Sequence, residues 1–112
     1  MTRGPADVER EKRVKITRTD NGAETVIALE GSLKAETVKE MQDISVTLAR
    51  EGRKSITLDC SGLDLIDSQG VAAIVGLNKR VRTAGGTLKV AGLRDQPRAI
   101  FKLLRFDRIF DL

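Results

Sequence analysis

Apolar and polar residues alternate from Val14 to Arg18, VKITR, with the two-residue period of a half-buried strand. Asp20-Asn21-Gly22 follows as a hairpin-type turn signal, and Thr25 to Glu30, TVIALE, is rich in strand formers. The chain is therefore expected to open with a β-hairpin. From Ala35 to Arg50 the period changes. Val38, Met41, Ile44, Ser45 and Leu48 recur at three and four, one face of a helix, while Glu36, Lys39, Glu40 and Asp43 lie largely off it. Gly52 suits a left-handed cap at the end of that helix. Ser55 to Asp59 reads as a short strand, which places Asp59 and Cys60 at a strand end and Asp64 in a turn. A second helix is expected from Ser68 to Thr83, with Val71, Ile74, Val75, Leu77 and Val81 as its apolar face and Ala72, Ala73 and Gly76 allowing close packing. Ala84-Gly85-Gly86 stops it, and Thr87 to Ala91 is another strand. Strand, crossover helix and strand make a parallel unit of right-handed sense. Asp95-Gln96-Pro97 starts a third helix, whose apolar residues are Ile100, Phe101, Leu103 and Leu104. Ile109, Phe110 and Leu112 are expected to close the core. The pattern is α/β.

The chain has 112 residues, which fits one domain, here placed at 13–112, with residues 1–12 as a solvated tail. That first segment has no apolar region of the signal-peptide kind. No uninterrupted apolar stretch approaches about 20 residues, so no membrane insertion is expected. A single cysteine, Cys60, cannot form an internal disulfide, and a reducing cytoplasm is the expected location.

The net charge is +4, but the cations are interleaved with 16 acids, and three Phe are the only aromatics. Lys79, Arg80 and Arg82 read as a solvated helix face and not as a nucleic-acid surface, so no direct contact with nucleic acid is expected. There is no histidine, which removes the Ser-His-Asp and Cys-His devices and most transition-metal sites. No glycine-rich segment leads into a helix with Lys-Ser/Thr, so no phosphate loop is present. Asp59, Asp64 and Asp67 are close in sequence, but helix entry and turn chemistry explain them, and Cys60 reads as a small buried residue. No catalytic residue, metal ligand or cofactor is assigned.

Ser68 has the stronger case for a role. As a plain structural residue it would be the N-cap of the second helix, accepting from the amide near Val71. A strand-to-helix turn also tends to be exposed, which suits a phosphoacceptor. A phosphate would add about −1.5 to −2 charge beside Asp67. The helix N-terminus favours an anion by about 0.3–1 kcal/mol, which repulsion from a solvent-facing Asp67 would roughly offset. A partner docked over the turn would meet several kcal/mol of unfavourable charge. The balance favours a switch in binding over a switch in folding.

Leu58-Asp59-Cys60-Ser61-Gly62-Leu63 followed by Ile66-Asp67-Ser68-Gln69-Gly70 resembles the central signature of STAS domains, which include the bacterial anti-sigma factor antagonists. Ile27 to Leu33, Ala84 to Leu88, and Phe101 to Phe110 resemble, in the right order, the second strand and its "GxL" exit, the link into the later strand and the closing segment. The likeness covers about residues 13–112. It implies a mixed sheet with packed helices. It also implies an anti-sigma factor antagonist that, unphosphorylated, binds an anti-sigma factor serine kinase and frees the sigma factor. The kinase would phosphorylate Ser68, and a phosphatase would reset it, so that transcription is regulated through a protein contact. The partner surface implied by the resemblance takes in Asp67, Gln69 and Gly70 with Gly31, Ser32, Leu33 and Lys34 from the second-strand exit. The family often reads "GELD" at that exit, whereas this chain has Ser32 and Lys34, and a lysine changes the sign of the contact. Gln69 stands where a second hydroxyl is common, leaving Ser68 as the acceptor within the motif. The alternative is a STAS-domain subunit of another assembly, a lipid-transport ABC complex or a stress-signalling scaffold. An enzyme is not expected, because the catalytic side chains are missing.

Overall fold

In the computed structural model, which describes residues 14–110, the opening alternation becomes a hairpin of β1 (Val14–Asn21) and β2 (Glu24–Leu33). Its pairing runs from Val14 opposite Gly31 to Asn21 opposite Glu24. The turn is therefore Gly22-Ala23, one residue later than the sequence signal, and Gly22 takes the positive φ of 64° that the first central position of a tight hairpin turn requires. Residues 1–12, the expected tail, and Leu112 lie outside the described residues.

The chain then alternates helix and strand: α1 (Val38–Glu51), β3 (Ser55–Ile66), α2 (Ser68–Thr83), β4 (Thr87–Ala91) and α3 (Asp95–Leu103). The sheet has the order β1-β2-β3-β4, with β1 antiparallel to β2 and the other two pairings parallel. A mixed sheet with packed helices, an opening hairpin and a C-terminal helix is the expected α/β fold.

One sheet face carries the core. Ile27, Leu29, Ile56, Leu58, Cys60 and Val90 point into it and are all less than 9% exposed. The alternate positions Lys15, Thr17 and Thr19 on β1 and Lys89, beside Val90, are exposed, and Ala28, Thr57 and Asp59 are half-buried, as the strand period requires. The helices cover the apolar side. α1 buries Met41, Ser45 and Leu48, and the Ser45 hydroxyl donates to the Met41 carbonyl at 2.9 Å. Gly52 ends α1 with φ 71°, as its sequence position predicts. α2 buries Val71, Ile74, Leu77 and Val81 as expected, while Val75 is only half-buried.

β3 departs from the sequence reading. It does not stop at Asp59 but runs on to Ile66, and Asp64 belongs to the strand and not to a turn. Two irregularities conceal this. Ala28 pairs with Asp59 but Glu30 with Gly62, and Gly31 pairs with Leu63 but Ser32 with Leu65, so β3 carries an extra residue at each step. Each β-bulge breaks the two-residue period. Inward positions are therefore Leu58, Cys60, Leu63 and Ile66, a spacing of two, three and three.

The end of the chain also departs. Phe101 is fully buried, packing edge-on to Phe106 at 6.5 Å and against Phe110 at 5.7 Å between ring centroids. Leu103, in contrast, is 79% exposed, Leu104 42% and Ile109 46%, so these three do not join the core. Leu103 lies about 200° around the helix from Phe101. Leu104 is already the C-cap, and Arg105 follows with φ 62°, so the helical period ends there.

Cys60 is fully buried, and loss of hydration, helped by the Asp59 charge, pushes its thiol up to about 12. The thiol of the native protein is expected to react with a maleimide at least about a hundredfold more slowly than in urea, because the thiolate is the nucleophile. Rapid stoichiometric labelling of the native protein would contradict this burial.

Candidate functional site

β3 delivers its last residue, Ile66, to the top of the sheet, and α2 begins two residues later. The residue between them, Asp67, is the N-cap, with extended backbone (φ −108°, ψ −176°). One carboxylate oxygen accepts from the Gly70 amide at 2.9 Å. The other accepts from the Ala35 amide at 3.0 Å, across in the loop that leaves β2. The Asp67 amide donates to the Leu33 carbonyl at 3.3 Å. Partial burial works to raise the Asp67 carboxyl, but amides of Gly70, Ala35 and Gln69 outweigh it, and the Lys34 ammonium adds to them, so the group is held below its ordinary value.

The capping role expected of Ser68 therefore falls to Asp67. Ser68 is the first residue of α2 and is exposed, and among the described residues its hydroxyl makes no hydrogen bond. A carboxylate accepts from amides more strongly than a hydroxyl does, so with Asp67 at the cap, Ser68 is left free.

The β2–α1 loop is held from its other end by Thr37, a buried residue that the sequence reading did not single out. Its hydroxyl donates to the Ser32 carbonyl at 2.8 Å and accepts from the Lys34 amide at 3.0 Å. A threonine just before the apolar period of α1 was the available signal. Gln96 was missed as well. Its side-chain amide accepts from the Ile66 amide at 2.9 Å and donates to the Ile66 carbonyl at 2.8 Å. β4 pairs with β3 only up to Asp59, so the later residues of β3 have no strand on that side. Gln96 and Arg94, whose Nε donates to the Ser61 carbonyl at 2.9 Å, supply partners there. No sequence pattern marks a glutamine for this task.

The residues expected to form a contact surface separate into two groups. Ser68 and Gln69 are exposed, while Asp67, Lys34 and Gly31 are half-buried, and all five belong to the neighbouring ends of β2 and β3 or to the residues just after them. Leu33 is fully buried, Ser32 is 8% exposed and Gly70 is buried, so these three have little exposed surface of their own at this rim. The strand-end pairing of Leu33 with Ile66 turns Leu33 into the core. At Gly70 a Cβ would collide with the Leu33 carbonyl oxygen, so its role is to let α2 approach β2. The other two candidate carboxylates are engaged locally, Asp59 accepting from the Ser61 amide at 3.0 Å and Asp64 pairing with Arg94 at 3.4 Å. No helix among the described residues is long and apolar enough to cross a membrane.

A family model described as "Mlab, STAS domain" matches residues 16–111. The chain belongs to the STAS domain family. Among solved structures, the anti-sigma factor antagonist SpoIIAA is similar in its unphosphorylated form, with TM-score 0.65, 19% identity, and coverage of 86% of this chain and 96% of that one. The phosphorylated form of SpoIIAA from Bacillus is similar at TM-score 0.66 and 20% identity, covering 81% and 82%. A putative anti-sigma factor antagonist from Thermotoga maritima reaches TM-score 0.78 at 19% identity, covering 84% and 81%. A sulfate transporter family protein from Wolinella succinogenes reaches 0.70 at 14% identity, covering 82% and 75%. At these identities the likeness is one of fold.

Because Asp67 is a carboxylate with its folded pKa lowered, it adds stability above the ordinary carboxylate range, lost as pH falls through its folded value. Asp67→Ala is expected to destabilise the domain by about 1–2 kcal/mol at pH 7. Urea titrations at pH 7 and at pH 3 check this, the difference from wild type shrinking at the lower pH. A pH-independent difference would remove the carboxylate charge from the account.

Proposed function

We propose that this chain is an anti-sigma factor antagonist of the STAS family, a binding module and not an enzyme, whose affinity for its partner is switched by phosphorylation of Ser68. Unphosphorylated, it binds an anti-sigma factor that is a serine kinase, and so releases a sigma factor to act in transcription. The kinase transfers the γ-phosphoryl group of ATP to Ser68 Oγ, which loses its proton as ADP leaves. A phosphatase restores the hydroxyl with water. The reading places the protein in the cytoplasm.

The observation that carries it is the free, exposed Ser68 hydroxyl at the first position of α2, beside a carboxylate that has taken over the capping. The fold's occurrence in SpoIIAA in both an unphosphorylated and a phosphorylated form supports it. The energetics support it as well. A dianion at the start of α2 gains about 0.3–1 kcal/mol from the helix dipole. The nearby Asp67 charge opposes it, but that charge is already shared among backbone amides and Lys34. The fold should therefore tolerate the phosphate, whereas a partner resting on Ser68, Gln69, Lys34 and the Gly31 bend would face an added charge at a contact.

A second reading is a STAS subunit of another assembly, such as a lipid-transport ABC complex or a stress-signalling scaffold. The description of the matching family model and the transporter-linked structural neighbour support it, as does a lysine at position 34. Capture from native lysate separates the two: a small ATP-binding kinase supports the antagonist, and a transporter ATPase supports the subunit.

Incubation with the cognate kinase and ATP is expected to add one phosphate, read by intact-mass spectrometry, and Ser68→Ala to abolish it. Ser68→Asp should keep its melting temperature within a few degrees of wild type and lose at least tenfold in partner affinity. Phosphate on another residue, or an unfolded Ser68→Asp variant, would refute the switch as described.

A further inference from the structure

Ser68 stands at one end of a groove of about 520 Å³ that runs along α2. Val71 and Val75 on α2 and Leu104 and Phe106 on the closing segment give it apolar walls. Ala72 and Gly76 form its low edge, and Lys79 stands at the far end. The span from Ser68 to Lys79 is about 16 Å, three turns of helix.

Gly76 is the anomaly here. It lies in the interior of a 16-residue helix, where glycine is destabilising relative to alanine. Packing does not require it, since a Cβ built at Gly76 meets no atom within 4 Å. The missing side chain leaves space open in this groove and in a second one, between α1 and α2, that Gly76 also lines. A local choice that weakens an element without an internal reason is expected at a functional surface.

Among the described residues, Lys79 is the one charged residue that lines the groove, and the neighbouring surface is mainly cationic. Lys79 lies on its edge, and the segment that supplies Leu104 and Phe106 also carries Lys102, Arg105 and Arg108, with Asp107 as its acid. Leu103 and Leu104 add exposed apolar surface to the same segment. A concave groove takes protruding side chains, which a flat lipid surface lacks. An amphipathic helix laid against α2 would present aliphatic residues at three- and four-residue spacing to Val75, Leu104 and Phe106, above the buried Val71, and acidic residues to the cations.

We infer that this groove is the docking site for an acidic amphipathic helix of a partner protein, and that a phosphate on Ser68 opposes the docking by placing like charge at its mouth. The inference deepens the switch reading and rests on it for the identity of the partner. The test contains no kinase, so its failure and a failure of Ser68 phosphorylation are separate outcomes.

The probes are two synthetic 18-residue amphipathic peptides with the same leucine stripe, one with glutamate and one with lysine on the polar face, and vesicles containing anionic phosphatidylglycerol. Methyl NMR of the full chain is the readout. The glutamate peptide is expected to shift the methyls of Val71, Val75 and Leu104, and the lysine peptide to bind at least tenfold more weakly. Gly76→Leu, which adds a side chain where a Cβ meets no atom within 4 Å, should lose at least tenfold in affinity for the glutamate peptide while melting no lower than wild type. Ser68→Asp should weaken that peptide several-fold. Equal binding of the two peptides, unmoved groove methyls, undiminished binding by Gly76→Leu, or larger shifts of the same methyls with the vesicles would overturn the inference.

Discussion

The two oxygens of Asp67 hold the upper end of this domain together. One terminates the free amides of α2 through Gly70, and the other reaches the Ala35 amide in the loop after β2. A single carboxylate thus joins the end of β3, the start of α2 and the approach to α1. Charge-assisted hydrogen bonds of this kind are roughly twice as strong as neutral ones. Chemical freedom for the neighbouring hydroxyl follows from the arrangement. If serine performed the capping, it would be half-occupied as an acceptor and turned toward the helix axis. Supporting contacts come from both sides, from Thr37 beneath the β2–α1 loop and from Gln96 against the Ile66 backbone. The hydroxyl is exposed, but the backbone that carries it is tied at several points.

Much of this was legible in the residues. The bounds of α2, Ser68–Thr83, and of β4, Thr87–Ala91, agree with the periodicity, because both elements have one plain apolar face and clear stop signals. The buried face of α1 is equally plain. β3 was cut short because alternation is a reliable guide only while the strand remains regular, and two extra residues shift the inward set from even to odd positions and back. The exchange of roles between Asp67 and Ser68 could not be read from residue types, since both are good N-caps and a one-residue difference in helix start decides between them. The motif alone does not show that Gly70 also has a task inside the fold, the close approach of α2 to Leu33. Gln96 acts on a residue 30 positions away, and no local pattern carries that information.

Lys34 takes a different meaning in three dimensions. In the sequence it is a departure of sign at a presumed contact. In the structure its charge acts on Asp67 and helps keep that carboxylate ionised. The upper rim of the domain is thus less negative than Asp67 alone would make it, and an arriving phosphate meets a partly compensated field. The exposed apolar residues are similarly redistributed. Ile109, expected to close the core, and Leu103 and Leu104, the apolar residues expected of the third helix, are exposed, Leu103 next to cations.

The paired bulges of β3 have an evolutionary corollary. Together they add two residues relative to β2, an even number, so Ile66 still faces inward and Asp67 arrives beneath the β2–α1 loop. Loss or gain of one residue between Cys60 and Ile66 would invert that parity and turn the acid away from both amides it serves. Descendants of this chain can therefore vary the exposed side chains along the segment, Ser61, Asp64 and Leu65, but its length is quantised, and a frame-preserving single-codon indel there should be among the least tolerated changes in the molecule.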